Sequence, residues 1–117
     1  MKKILIVDDD PSIRYAIKEV FFTEYDIKTA ENGNKCFKCL KSEIPDLIIL
    51  DIMMPGINGW DVINRLKESK NWKEIPIIIM TARCDENTKY AGRFFANDFL
   101  EKPFTIDDLK RRINKIL

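Results

Sequence analysis

Residues 4–14 read "ILIVDDDPSIR". Four apolar residues give way to three adjacent aspartates, then to a proline and a new hydrophobic period. Ile13, Ala16, Ile17, Val20 and Phe21 fall on one face of a helix, so the stretch predicts a strand, a short acidic turn and a helix. A continuous apolar run without alternation suits a strand buried on both faces, the situation of parallel sheets covered by helices. The same unit recurs along the chain. "YDIKTA" (25–30) is a weaker, charged strand suited to a sheet edge. "NGNKCFKCLKS" predicts a helix with Cys36, Phe37 and Leu40 inward. "DLIIL" (46–50) is an all-apolar strand, followed by the helical "GWDVINRLKES". "IPIIIMTA" is a further buried strand, and Asp85 is placed to cap a helix running to Phe94 or Phe95. "DFL" is a short strand. Thr105 and Asp108 have the spacing of a capping box opening a last helix, with Ile106, Leu109, Ile113, Ile116 and Leu117 as its apolar stripe.

Five strands alternating with five helices specify an α/β fold. Crossover connections make the sheet parallel and cover both faces, giving a three-layer, doubly wound sandwich. A length of 117 residues suits one domain, taken as 1–117. In such a sheet a site forms at the carboxyl ends of the strands.

The totals exclude several chemistries. Twenty Lys and Arg against nineteen Asp and Glu give no net-charge argument for nucleic acid or membrane. No apolar run approaches the ~20 residues that span a bilayer. Ile4–Val7 is shorter than the ~7 apolar residues a secretory signal needs, so a cytoplasmic location is expected. There is no histidine, which excludes Ser-His-Asp and Cys-His nucleophile systems and a His-ligated metal. A metal here would be held by oxygen, as magnesium, manganese or calcium are.

The polar residues gather where the fold puts a site. The first strand ends in Asp8 and Asp9, the third in Asp51 and the fourth in Thr81, and Lys102 follows the fifth. Any one of these is explained by a loop beginning there; all five after otherwise apolar strands are not. Three carboxylates together would drive at least one pKa upward, a conflict that a hard divalent cation removes. Magnesium takes one or two carboxylates and leaves positions for phosphate oxygens. Thr81 and Lys102 are a hydroxyl and an ammonium suited to a phosphoryl group. Asp10, directly before Pro11, has the position of an N-cap for the first helix, so the three aspartates divide into two metal ligands and a cap.

"ILIVDDD", "DLIILDIMMPGINGWDVI", "IPIIIMTA" and "DFLEKPF", in this order, resemble the receiver domain of bacterial two-component response regulators, over the whole chain. The resemblance implies a flavodoxin-like sheet in the order 2-1-3-4-5. It implies a phosphorylation-activated switch rather than an enzyme, one that assists its own phosphorylation and dephosphorylation. Asp51 is then the phosphoryl acceptor. Asp8, Asp9, Asp51 and the backbone carbonyl of Met53 hold Mg2+, with Mn2+ as a substitute. Thr81 and Lys102 bind the phosphoryl oxygens, Phe99 is the aromatic partner of Thr81 in switching, and the Lys102–Pro103 bond is cis. The phosphoryl donor is a sensor histidine kinase or a histidine phosphotransfer protein. A downstream target protein reads the surface of the fourth helix, fifth strand and fifth helix. A monomer is expected, with dimerisation on phosphorylation left open. The residues flanking the acceptor, Met53 and Arg83, tune dephosphorylation. One departure is Phe95, where the family usually has a helix-ending glycine.

Rival readings are weaker. A flavin-binding flavodoxin wants a Ser, Thr and Gly-rich phosphate loop after the first strand, where this chain has aspartates. A small magnesium-dependent aspartyl-phosphate phosphatase usually has a second aspartate two residues after the nucleophile, where this chain has Met53. Cys36 and Cys39 form "CFKC", but within a helical pattern, so packing outweighs a redox or metal role. Cys84 lies in a loop near the rim without an assigned role. The basic "LKRRINK" reads as a solvated helix face. Trp60, after Gly59, is either a reporter of the rim or loop packing.

Overall fold

The computed structural model describes residues 1–82 and 85–117. Arg83 and Cys84 lie outside the described residues. Each apolar run forms a strand and each periodic segment a helix. In chain order these are β1 (Lys3–Val7), α1 (Pro11–Phe21), β2 (Asp26–Ala30), α2 (Gly33–Ser42), β3 (Leu47–Asp51), α3 (Gly59–Glu68), β4 (Ile77–Thr81), α4 (Glu86–Phe95), β5 (Asp98–Glu101) and α5 (Ile106–Ile116). The strands form one parallel sheet in the order β2-β1-β3-β4-β5, the expected doubly wound, flavodoxin-like arrangement. The charged β2 takes an edge.

Alternation along the strands divides the core in two. Leu5, Val7, Ile48, Leu50, Ile77 and Ile79 pack with Phe37, Val62 and Leu66 of α2 and α3. Ile4, Ile6, Leu47, Ile49, Ile78 and Met80 pack with Ile17, Phe21, Leu109 and Ile113 of α1 and α5. Each such side chain contributes roughly 1.5–3 kcal/mol on full burial. Two residues expected on the inner face of α1 are outside it: Ala16 and Val20 are exposed, and the helix buries Ile17 and Phe21. A helix at one corner of the sheet needs only a narrow stripe. In α5 the central Leu109 and Ile113 are buried, while Ile106, Ile116 and Leu117 pack at its margins.

The caps fall where short polar side chains were expected. Asp10 Oδ1 accepts from the Ser12 amide at 2.8 Å, with Pro11 opening the helix. Asn32, Asn58 and Asp85 cap α2, α3 and α4 in the same way. Thr105 Oγ1 accepts from the Asp108 amide at 3.1 Å, but the Asp108 carboxylate pairs with Arg111 and Arg112, forward along the helix. Only that half of the expected capping box is formed by these side chains. The α4 terminus does not need the missing glycine. Ala96, at φ −134° and ψ 160°, turns straight into extended backbone, and no described non-glycine residue has positive φ.

Gly59 is held by space. A Cβ there would lie 2.3 Å from Ile52 Cα and 2.9 Å from the Asp51 carbonyl oxygen. The first turn of α3 is thus pressed against the backbone leaving β3, and the Gly59 amide donates to the Ile52 carbonyl at 3.1 Å. Gly59→Ala should destabilise the protein by about 3 kcal/mol or more through backbone displacement, read as a fall in the urea midpoint. Asp10→Ala should cost about 1 kcal/mol by the same measurement.

Candidate functional site

Strand register brings the acids together. Val7 and Leu50 are partners across β1 and β3, so Asp8 and Asp51 stand side by side one residue further on. Both follow residues that face α2 and α3, so alternation turns both toward α1 and α5. Asp8 is fully buried and Asp51 3% exposed, whereas Asp9, on the loop, is exposed. Asp8, Asp9 and Asp51 each offer a carboxylate oxygen within 4.8 Å of the others.

Lys102 closes the group from the fifth strand. Its Nζ donates to Asp8 Oδ2 at 2.8 Å and to Asp51 Oδ2 at 3.0 Å. The remaining carboxylate oxygens are held by backbone: Asp8 Oδ1 accepts from the Asp10 amide at 2.9 Å, and Asp51 Oδ1 from the Met53 amide at 2.8 Å. Each buried carboxylate is therefore fixed in rotation. Thr81, at the end of β4, is fully buried. The bond between Lys102 and Pro103 is cis, as expected. Beside Lys102 lies a cleft of about 410 Å³ whose lining includes Ile13, Ala82, Pro103 and Phe104, so the small Ala82 that follows Thr81 borders open space.

The electrostatics follow from burial. Removal from water pushes the Asp8 pKa above the ordinary carboxylate range, although Lys102 and the Asp10 amide act in the opposite direction and Asp51 reinforces the rise. The Lys102 ammonium is held above the usual lysine value: burial, the largest influence, opposes the charge, but the hydrogen bonds and charges of Asp8 and Asp51 together outweigh it. The donor set is all oxygen: three carboxylates lie within 4.8 Å of one another, and Lys102 bridges two of them, Asp8 and Asp51. Such a set fits Mg2+, a hard cation that binds through carboxylates and keeps waters.

Phe99, on β5, is half-buried and packs against the α2–α3 side of the sheet. Gly92 of α4 lies over it: a Cβ at Gly92 would come within 3.1 Å of the Phe99 ring. Arg112 donates to the Phe99 carbonyl at 2.9 Å and pairs with Asp98, a tie between α5 and β5 that sequence spacing did not reveal. The Met53 side chain is half-exposed and Met54 is in the core, an arrangement unlike a soft-metal site. Trp60 belongs to core packing. Cys36 is buried, which pushes its thiol up to about 12, with Cys39 adding to the rise, so CFKC is packing rather than a reactive pair.

Because the Asp8 pKa is raised by folding, its contribution to stability is fully present below the unfolded-state value and is lost as pH rises through the folded value. Metal-free Asp8→Asn protein should therefore melt above the wild type at neutral pH. The difference should close as the pH falls toward the carboxylate range, a trend that thermal melts across pH would follow.

The receiver-domain model of response regulators matches residues 4–114. Response regulator SaeR of Staphylococcus aureus is 38% identical over all of this chain, which covers 51% of SaeR. The chain thus spans about half the length of this curated relative. The structure of response regulator TrrA from Thermotoga maritima, in complex with Mg2+-BeF, superposes with a TM-score of 0.87 at 40% identity, covering 100% of both chains. Chemotaxis protein CheY4 of Vibrio cholerae superposes with a TM-score of 0.92 at 28% identity, over 100% of this chain and 99% of that one. With its acid-rimmed parallel sheet and a family match over nearly its whole length, the chain belongs to the response regulator receiver domains.

Proposed function

We propose that this chain is a phosphorylation-activated switch in which Asp51 accepts a phosphoryl group. The observation that carries the reading is the Lys102 ammonium joined to both Asp8 and Asp51, with Asp9 beside them. Asp8, Asp9, Asp51 and the Met53 carbonyl would hold Mg2+, or Mn2+ in its place. Held there, Mg2+ would supply charge neutralisation for the acids and a binding position for phosphoryl oxygens.

The chain's own groups account for the rest. The Met53 amide holds Asp51 Oδ1, which orients the carboxylate. A carboxylate oxygen of Asp51 attacks phosphorus. The bond from phosphorus to the donor's leaving group breaks, and an acyl phosphate forms on Asp51. Lys102 passes from carboxylate to a phosphoryl oxygen as charge accumulates there, and Thr81 donates its hydroxyl to another. Positioning and electrostatics supply the rate, since no general base is required by an ionised carboxylate. With no histidine in the chain, a phosphohistidine donor belongs to a sensor histidine kinase or a histidine phosphotransfer protein.

The output follows from the same groups. Thr81 moving toward the phosphoryl group leaves room that the Phe99 ring enters from its half-buried position under Gly92. The surface of α4, β5 and α5 then changes for a downstream target protein. We assign the molecule to the cytoplasm, working as one domain over 1–117 and monomeric before phosphorylation. No described helix is long and apolar enough to cross a membrane. The phosphatase alternative gains no support from a second carboxylate, since Met53 occupies the position two residues after Asp51.

Acetyl phosphate with Mg2+ should add one phosphoryl group to the wild type, seen by intact mass, and none to Asp51→Asn or in the presence of EDTA. Labelling that persists in Asp51→Asn would overturn the assignment. Asp9→Ala should lose the magnesium-dependent labelling that Asp10→Ala keeps.

A further inference from the structure

The assigned site leaves Arg14 unexplained. It lies in the second turn of α1, is half-buried, and reaches back to donate from Nη1 to the Asp8 backbone carbonyl at 2.7 Å. That carbonyl belongs to the peptide joining Asp8 to Asp9. The other side of Asp8 is fixed as well, since its amide donates to the Ala30 carbonyl at 3.1 Å. The Asp10 amide is bound by Asp8 Oδ1. The short turn from Asp8 to Asp10 is therefore pinned from β2, from its own side chain and from α1.

We infer that Arg14 is a positioning residue for the acidic site: by holding the Asp8–Asp9 peptide plane it presents the exposed Asp9 carboxylate to Asp8 and Asp51. Asp8 and Asp51 sit at strand ends and are buried, so the sheet places them. Asp9 has neither support and gets its direction from the peptide that precedes it. A guanidinium suits this task because it is always charged and its donors keep a fixed geometry. Groups that orient ligands in this way govern metal affinity without touching the metal.

The inference rests on the proposed metal site and makes a prediction opposite in sign to simple charge counting. Deleting a nearby positive charge should strengthen binding of a cation. Loss of positioning should weaken it. The experiment is calorimetric titration of the full chain with MgCl2, paired with metal-free thermal melts, for the wild type, Arg14→Met, Arg14→Lys and Asp9→Asn. Arg14→Met keeps the apolar stem and removes the donor. It should bind Mg2+ about tenfold more weakly, with a metal-free midpoint close to that of the wild type. Arg14→Lys, which keeps a charged donor, should recover part of the loss. Unchanged or tighter Mg2+ binding in Arg14→Met overturns the positioning role while leaving the site intact. A lower metal-free midpoint with no recovery in Arg14→Lys also overturns it, since Arg14 would then be packing. Absence of Asp9-dependent Mg2+ binding in the wild type overturns both this inference and the metal site beneath it.

Discussion

The bridge from Lys102 to Asp8 and Asp51 is the interaction on which the site depends. Two buried carboxylates at adjacent strand ends are unfavourable alone, and burying a lysine beside them is unfavourable alone. Together they satisfy one another, and the backbone amides of Asp10 and Met53 complete the remaining oxygens. The chain thereby stores a poised charge arrangement at the edge of a largely apolar core. Its cation comes from a different end of the sequence than its acids, so the sheet must be complete before the pair exists.

The sheet can hold this arrangement because the inner strands are apolar along Ile4–Val7, Leu47–Leu50 and Ile77–Met80, and Asp8, Asp51 and Thr81 come only where those runs stop. Gly59 presses α3 against the chain leaving Asp51, so the loop bearing Met53 has little freedom to drift from the acceptor. Gly92 does the reverse service at the other edge, leaving room for an aromatic ring under a helix. One glycine confines and the other permits, and both lie beside groups assigned to switching.

Much of this was legible in the residues. Alternating apolar runs and helical periods gave five strands and five helices, and the run of polar residues at strand ends gave Asp8, Asp9, Asp51, Thr81 and Lys102. Asp10 was readable as a cap because proline follows it. What periodicity overstated was the inner face of α1, where Ala16 and Val20 match the helical spacing yet face outward. Spacing cannot tell a helix lying flat on a sheet from one touching it along a narrow stripe. The half-formed capping box at Thr105 failed for a different reason: Asp108 had arginines one turn ahead, and a charged partner outcompetes an amide. The links from Arg14 to Asp8 and from Arg112 to Phe99 end on backbone carbonyls, which leave no signature in side-chain pattern.

The odd–even division of the strands has a consequence for how the sequence can change. Neighbouring residues such as Ile48 and Ile49 belong to different cores with different helices. A volume lost on one side is best compensated by a residue on that side, two positions along or on its own helices, and seldom by the adjacent residue. Divergence among relatives can thus proceed in two nearly independent ledgers of packing. The strand backbones, shared by both, are where drift is least tolerable, and they are also what carries Asp8, Asp51 and Thr81 to a common rim.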